Sequence, residues 1–146
     1  MTMTPALTIR SARTVAVAVP MRFALGTSAA TVREAPLLLI DIETEEGITG
    51  RSYLFCYRPS GAAAIAAVLH DAVALIAGER VAPVHNAAKL ERRFALIGVT
   101  GMVRMALSGL DMALWDALAV AAGQPLASSS VARRGRSQPT IPAASA

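Results

Sequence analysis

Apolar residues recur along 102–122 (MVRMALSGLDMALWDALAVAA) at a helical spacing that is kept for about six turns. Met102, Met105, Ala106, Gly109, Ala113, Ala117 and Val120 fall on one face, and Val103, Leu107, Leu110, Leu114 and Leu118 form a second apolar row beside it. Polar character narrows to a strip holding Arg104, Ser108 and Asp111. A helix apolar over so much of its circumference is normally covered on both sides. The chain's own sheet and helices supply one cover; the other side is open to something more.

Upstream the period is two. Residues 8–19 alternate around Val15, Val17 and Val19 as far as Pro20, which predicts a first strand. Residues 36–43 (PLLLIDIE) begin as a continuous apolar run and end alternating, as a strand covered on both faces at one end would. A turn at 44–47 leads into a partner strand at 48–55, and Gly50 inside it predicts a bulge or a close backbone approach. Between the first two strands, 20–35 carries Gly26 and scattered Phe23, Leu25 and Val32 with no sustained period, which predicts a long ordered loop. From Pro59 the period lengthens. Ser60 is the expected cap of a helix to about 77, ended by Gly78, and Pro83 opens another over 84–97 with Lys89, Glu91, Arg92 and Arg93 on a solvated face. Strands first and helices after predict an α+β fold over 1–126, a three-stranded antiparallel meander followed by a bundle of three to four helices. Residues 127–146 are rich in Ser, Pro, Arg and Ala, a composition expected of a disordered tail.

A chain of 146 residues has room for one domain with a core of its own. Its 54% hydrophobic content and mean hydropathy of +0.49 raise the question of a membrane. The most apolar windows are interrupted, one by His70 and Asp71 and the other by Arg104, Asp111 and Asp116. A charge at a bilayer centre costs roughly 3 kcal/mol, so no membrane association is expected. The start, MTMTPALTIRSAR, shows no apolar h-region, and the expected location is cytoplasmic. The single Cys56 reads as a small core residue. Most of the net charge of +4 comes from Arg133, Arg134 and Arg136, and no basic stripe is interleaved with aromatics, so no nucleic-acid partner is expected.

Candidate chemistry is sparse. Asp41, Glu43, Glu45 and Glu46 cluster about a hairpin turn, where solvated acids are usual, and no metal site is expected there. His70 and His85 lie far apart without metal-ligand spacing and read as structural. Asp111 and Asp116, five apart, do not share a helix face as a catalytic pair would. They are expected to bond a buried backbone group or an arginine, or to face another domain, and Trp115 reads as core or interface.

The run Ala106, Ser108, Gly109, Leu110, Asp111, Ala113, Leu114, Trp115, Asp116, Ala117 resembles the signature helix of the mandelate racemase and muconate lactonizing enzyme family, in the enolase superfamily. The stretch APLLLIDIETEEGITGRSYLFCY resembles the second and third strands of that family's N-terminal capping domain, with its strongest likeness to the racemase branch. The resemblance spans about residues 8–126. It implies an isomerase- or lyase-type enzyme in which magnesium, held by carboxylates, stabilises the enolate left when a base removes the proton alpha to a carboxylate. It places base and ligands in a (β/α) barrel after the capping domain, a unit of on the order of 200 residues. No catalytic residue, metal ligand or cofactor is therefore expected in 1–126, and this chain alone is expected to be inactive. The implied partners are a barrel domain or a homologous full-length subunit, since family members are homo-oligomers. The capping domain's implied role is the lid of the substrate pocket, at positions Phe23, Leu25, Thr27 and Val32 in the loop and Tyr57 after SYLFC. Their apolar character suits an aromatic or nonpolar hydroxy acid better than a sugar acid. Tyr57 matches the racemase pattern without a gap, whereas the spacing from Gly26 to Pro36 departs from it. The other class of reading is a noncatalytic module that docks through its apolar helix face.

Family members continue P-L-x-x-L-L-G and then R-P-x-x-A-Y-N-S into the barrel; this chain instead reads SSSVARRGRSQPTIPAASA. Back-translated and shifted by one nucleotide, residues 128–146 can yield V-I-G-G-A-A-R-P-I-P-A-Y-N-S-C-G-L-G. Thirteen of the 14 basic residues are Arg, in keeping with the GC-rich codons this needs. The expectation is a capping domain cut off by a frameshift, checked by resequencing across the codons for 126–146.

Overall fold

The structure is a computed structural model that describes residues 6–127. Three strands, β1 (Ile9–Gly26), β2 (Thr31–Thr44) and β3 (Thr49–Phe55), precede three helices, α1 (Pro59–Ile76), α2 (Pro83–Arg93) and α3 (Gly101–Ala121). The sheet is an antiparallel meander in the order β1-β2-β3. Fold class and element order are therefore as expected, and the tail reading concerns residues 127–146, of which all but Ala127 lie outside the described ones.

The even-numbered positions of β2 point Leu38, Ile40 and Ile42 into the core, where they meet Ile65, Leu69 and Ile76 of α1 and Leu110 and Leu114 of α3. β3 runs along α3 at close range. A Cβ on Gly50 would lie 2.0 Å from Ala113 O and 2.7 Å from Ala117 N, so only a residue without a side chain lets strand and helix backbones come this near. Gly109 answers from the helix, its missing Cβ leaving room for Ile40 Cδ1 and Leu54 Cδ1. Polar links fasten the seam: Ser52 Oγ donates to Gly109 O at 2.7 Å, and Arg51 N–H donates to Asp116 Oδ2 at 2.8 Å. The close approach expected at Gly50 is thus a strand–helix contact. α1 is long and apolar enough to cross a bilayer by composition, and in this fold it buries Ala62, Ile65, Leu69, Ala72, Val73 and Ile76 along one face.

Three boundaries differ from the sequence reading. The expected loop at 20–35 is instead a β-ribbon: β1 continues to Gly26 and β2 begins at Thr31, with Leu25 opposite Val32 and Gly26 opposite Thr31. Both arms are largely exposed, so neither face imprints an apolar alternation. Pro20 sits where the register shifts, and Pro36 sits where β2 loses β3 as a neighbour, the last link being Cys56 N–H to Pro36 O at 2.8 Å. These are places where a strand tolerates proline. Secondly, Ser60 is not the cap of α1: Arg58 holds that place without a side-chain bond and Pro59 begins the helix. Thirdly, α2 stops at Arg93, and a run of turns from 94 to 97 completes what its pattern extended as helix.

Carboxylates near the β2–β3 turn are tied to specific donors. Arg10 and Ser11 each reach Glu43 Oε2 at 2.8 Å, and Glu46 accepts the Thr8 N–H at 2.8 Å and its hydroxyl at 2.9 Å. Arg10 first, then Ser11, holds the Glu43 carboxyl below the usual glutamate range, and the Thr8 N–H does the same for Glu46. A carboxyl with a depressed folded pKa stabilises above the unfolded value near 4.3 and loses that contribution as pH falls through the folded one. Thermal unfolding followed from about pH 6 to about pH 3 should show this loss, and Glu46→Gln should flatten it.

The glycine seam gives a sharper expectation. Gly50→Ala drives a methyl into helix backbone and should cost about 3 kcal/mol or more. Gly109→Ala meets side-chain atoms of Ile40 and Leu54 and no backbone, and gains helix propensity, and should stay within about 1 kcal/mol of wild type. Urea denaturation of both variants checks the difference.

Candidate functional site

The two faces of the sheet are unlike. Opposite the helices, odd-numbered residues line up across the strands in three rows: Arg13, Asp41 and Arg51; then Val15, Leu39 and Tyr53; then Val17, Leu37 and Phe55. The first row is ionic, Arg13 Nη2 reaching Asp41 Oδ2 at 2.7 Å and Arg51 Nε lying 3.6 Å from Asp41 Oδ1. The other two are apolar; in the middle one Val15 is 44% exposed, Leu39 41% and Tyr53 65%, and in the last Val17, Leu37 and Phe55 are half-buried. The sequence reading gave β2 cover on both faces at its apolar end; there Leu37 is half-buried on this face, whereas Leu39 is exposed. The regular odd-position apolar pattern shared by all three strands was the signal for this surface.

At the apolar end of this face stand the residues that the resemblance assigned to a lid. Beyond Pro36 the ribbon is two-stranded, and the five residues from there to Thr31 carry its tip roughly 17 Å from the sheet. Phe23 is 76% exposed and Leu25 is exposed, while Val32 is half-buried. Arg22 lies over the Phe23 ring, 5.4 Å from its centroid, a contact that the sequence did not announce. Thr27 does not offer its hydroxyl outward. Its Oγ1 donates to Ala30 O at 2.8 Å and accepts the Ala30 N–H at 3.0 Å, closing the tip.

Tyr57 stands at the ribbon's base, two residues past the end of β3. Its φ of 60° is left-handed backbone in a bulky residue, a conformation that costs of order 1–3 kcal/mol and persists only where the surroundings impose it. Here Cys56 N–H bonds Pro36 O on one side, and Arg58 N–H bonds Cys56 O at 2.6 Å on the other. The ring meets Phe55 edge-on, centroids 5.0 Å apart, and remains 65% exposed beside an apolar hollow of ≈ 380 Å³ lined by Cys56, Ile65, Met102 and Met105. Burial pushes the Cys56 thiol up, away from a reactive thiolate.

Asp111, Trp115 and Asp116 divide. Asp116 fastens β3 through Arg51 N–H, whereas Asp111 and Trp115 line a groove between α2 and α3. His70 Nε2 lies 3.1 Å from Thr14 Oγ1, joining α1 to β1, and His85 is exposed on α2. The acids near the hairpin do not fit a magnesium site, since Asp41, Glu43 and Glu46 are already held by Arg13, Arg10 and Thr8. No three His, Cys, Asp or Glu side chains converge as metal ligands among the described residues. No step can be routed through a metal on these residues.

An antiparallel three-stranded sheet backed by helices, extended at one end into an apolar ribbon with a strained tyrosine at its root, defines a capping domain by its shape. The family model described as mandelate racemase / muconate lactonizing enzyme, N-terminal domain, matches residues 9–128, and the chain belongs to that family. An enolase from Bradyrhizobium complexed with magnesium and mandelic acid is 36% identical, with a TM-score of 0.81 over 88% of this chain and 36% of its own. An enolase from alpha proteobacterium BAL199 with bound magnesium is 38% identical, with a TM-score of 0.80 over 86% of this chain and 34% of its own. L-talarate/galactarate dehydratase from Salmonella typhimurium is 25% identical, with a TM-score of 0.71 over 88% of this chain and 34% of its own. The chain therefore spans about a third of the length of these structures.

The two aspartates of α3 should respond oppositely to mutation. Asp116→Ala removes an anchor from β3 and should cost about 1–2 kcal/mol. Burial raises the Asp111 carboxyl above the usual range, so charging it at neutral pH weakens the fold. Asp111→Asn should leave stability unchanged or slightly higher, as read by urea denaturation near pH 7.

Proposed function

We propose that this domain is the lid of a metal-dependent enzyme that removes the proton alpha to a substrate carboxylate, and that it is not catalytic by itself. The observation that carries this reading is the exposed apolar ribbon with Phe23 and Leu25, standing at the same end of the sheet as Tyr57. A soluble body gains nothing from holding these side chains out in water, and two of them lie on a projecting arm. Laid over a pocket, the arm and Tyr57 exclude water and lower the local dielectric, which strengthens every charge interaction beneath them. By the family resemblance, the pocket, its base and its magnesium ligands belong to the barrel. Bound magnesium would stabilise the charge that forms on the substrate carboxylate. The residues of this domain would shape the opposite wall. The Bradyrhizobium relative, complexed with magnesium and mandelic acid, supports an aromatic hydroxy acid as the substrate class.

The uncovered sheet face around Tyr53 favours a second reading, a noncatalytic interaction module. That reading expects a stable complex with a partner unrelated to the barrel, recovered by co-purification.

The lid reading is checked by deuterium exchange at the alpha carbon of mandelate. The chain alone should give none. Mixed with the barrel half of the Bradyrhizobium relative it should restore magnesium-dependent exchange, and Phe23→Ala or Tyr57→Ala should raise KM on the order of tenfold. Exchange by the chain alone, or a mixture no better than the barrel half, overturns the reading.

A further inference from the structure

The groove between α2 and α3 encloses ≈ 460 Å³ and is walled by Val84, Leu107, Met112 and Trp115, with Ser108 and Asp111 as polar groups inside it. Two further lining residues form an ion pair, Arg104 Nη1 to Glu91 Oε1 at 2.6 Å. Asp111, half-buried, differs from the acids that the fold ties down. Asp41, Glu43, Glu91 and Asp116 each meet a cation or an N–H, whereas Asp111 meets neither among the described residues. Burial nonetheless removes part of its water and raises its carboxyl above the usual range.

A desolvated carboxylate without a partner is unfavourable until a positive donor arrives. Arg104, two turns earlier on the same helix, is already engaged by Glu91. The donor must therefore come from outside the described residues, and the groove specifies its chemistry. A guanidinium is planar and weakly hydrated, it stacks on an indole face, and its three-carbon stem lies well along apolar walls. Trp115 and Met112 provide that wall, Asp111 the counter-charge, and the Ser108 hydroxyl an acceptor one turn away. A lysine ammonium would give up more hydration and gain no stacking.

We propose that this groove is a socket for an arginine side chain presented by the domain that follows this one in the family's enzymes, with Asp111 as its counter-ion. The inference rests on the capping-domain reading. The charge of the groove decides the sign of the occupant. The larger part of each relative lies outside the matched region, and that part is the occupant to which the socket is assigned.

Trp115 is the only tryptophan of the chain, so its fluorescence reports the groove directly. Titration of the whole chain with N-acetyl-arginine amide should give a saturable change, about fivefold tighter than with N-acetyl-lysine amide. Asp111→Asn should weaken the arginine response at least about fivefold and bind the barrel half of the Bradyrhizobium relative about tenfold less tightly at low salt. Tyr57→Ala should leave the arginine curve unchanged. An undiminished arginine response in Asp111→Asn, no saturable response in wild type, or equal affinity of the barrel half for both forms overturns the socket. Loss of barrel affinity in Asp111→Asn, with no exchange activity in the mixture, supports the socket and overturns the lid alone.

Discussion

Backbone meets backbone where β3 crosses α3, and the rest of the domain is arranged to allow it. Side chains ordinarily hold a helix away from a sheet. At Gly50 the space for a single methyl is taken by Ala113 O and Ala117 N. Once the two chains are that close, Ser52 can reach the Gly109 carbonyl and Asp116 can take the Arg51 N–H, bonds that a longer separation would break. The small residues on that face of α3, Ala106, Gly109, Ala113 and Ala117, are all buried. They read as a core stripe in the sequence; in the fold they are also a docking track for a strand.

This contact fixes the polarity of the sheet. With α3 and α1 on one face, the odd-numbered side chains are left on the other, graded from the Arg13–Asp41–Arg51 row to the apolar rows and then to the ribbon. The ionic row places charge at the turn end, far from the ribbon. The apolar character grows toward Phe55 and Tyr57, where the left-handed turn at Tyr57 redirects the chain into α1. A bulky residue is held there because Cys56 is locked to Pro36 and a Cβ on Gly61 would lie 2.7 Å from Cys56 O. The strain is thus imposed by the join between sheet and helix, and it leaves the ring exposed beside the ribbon's base.

Most of the fold was legible because burial is periodic. The alternation in β2, the turn at 44–47 and the long period of α3 each encode one covered face, and Gly50 announced its close approach. The ribbon was not legible for the same reason. Phe23 and Leu25 are both exposed, so pairing at 25–32 and 26–31 leaves no apolar rhythm, and Pro20 reads as a stop although it lies at a register shift. The cap of α1 was misread because Ser60 is a good capping residue two positions too late, inside a helix that Pro59 had already begun. The site was legible only through family likeness. Most of its residues are apolar, and an exposed apolar side chain has no composition signal that distinguishes it from one in a core.

The two aspartates of α3 show how far position decides role when residue type does not. Asp116 and Asp111 share one helix and differ by five residues, which rotates them to different neighbours. One faces a strand edge with a free N–H and becomes structural glue. The other faces a groove whose charged neighbours, Glu91 and Arg104, neutralise each other and leave it unmatched. A domain that folded for its own sake would have no use for the second arrangement, because an asparagine of the same shape would avoid the desolvation. Carrying a partly buried, unpaired carboxylate makes physical sense if the helix is one half of an interface whose other half brings the cation.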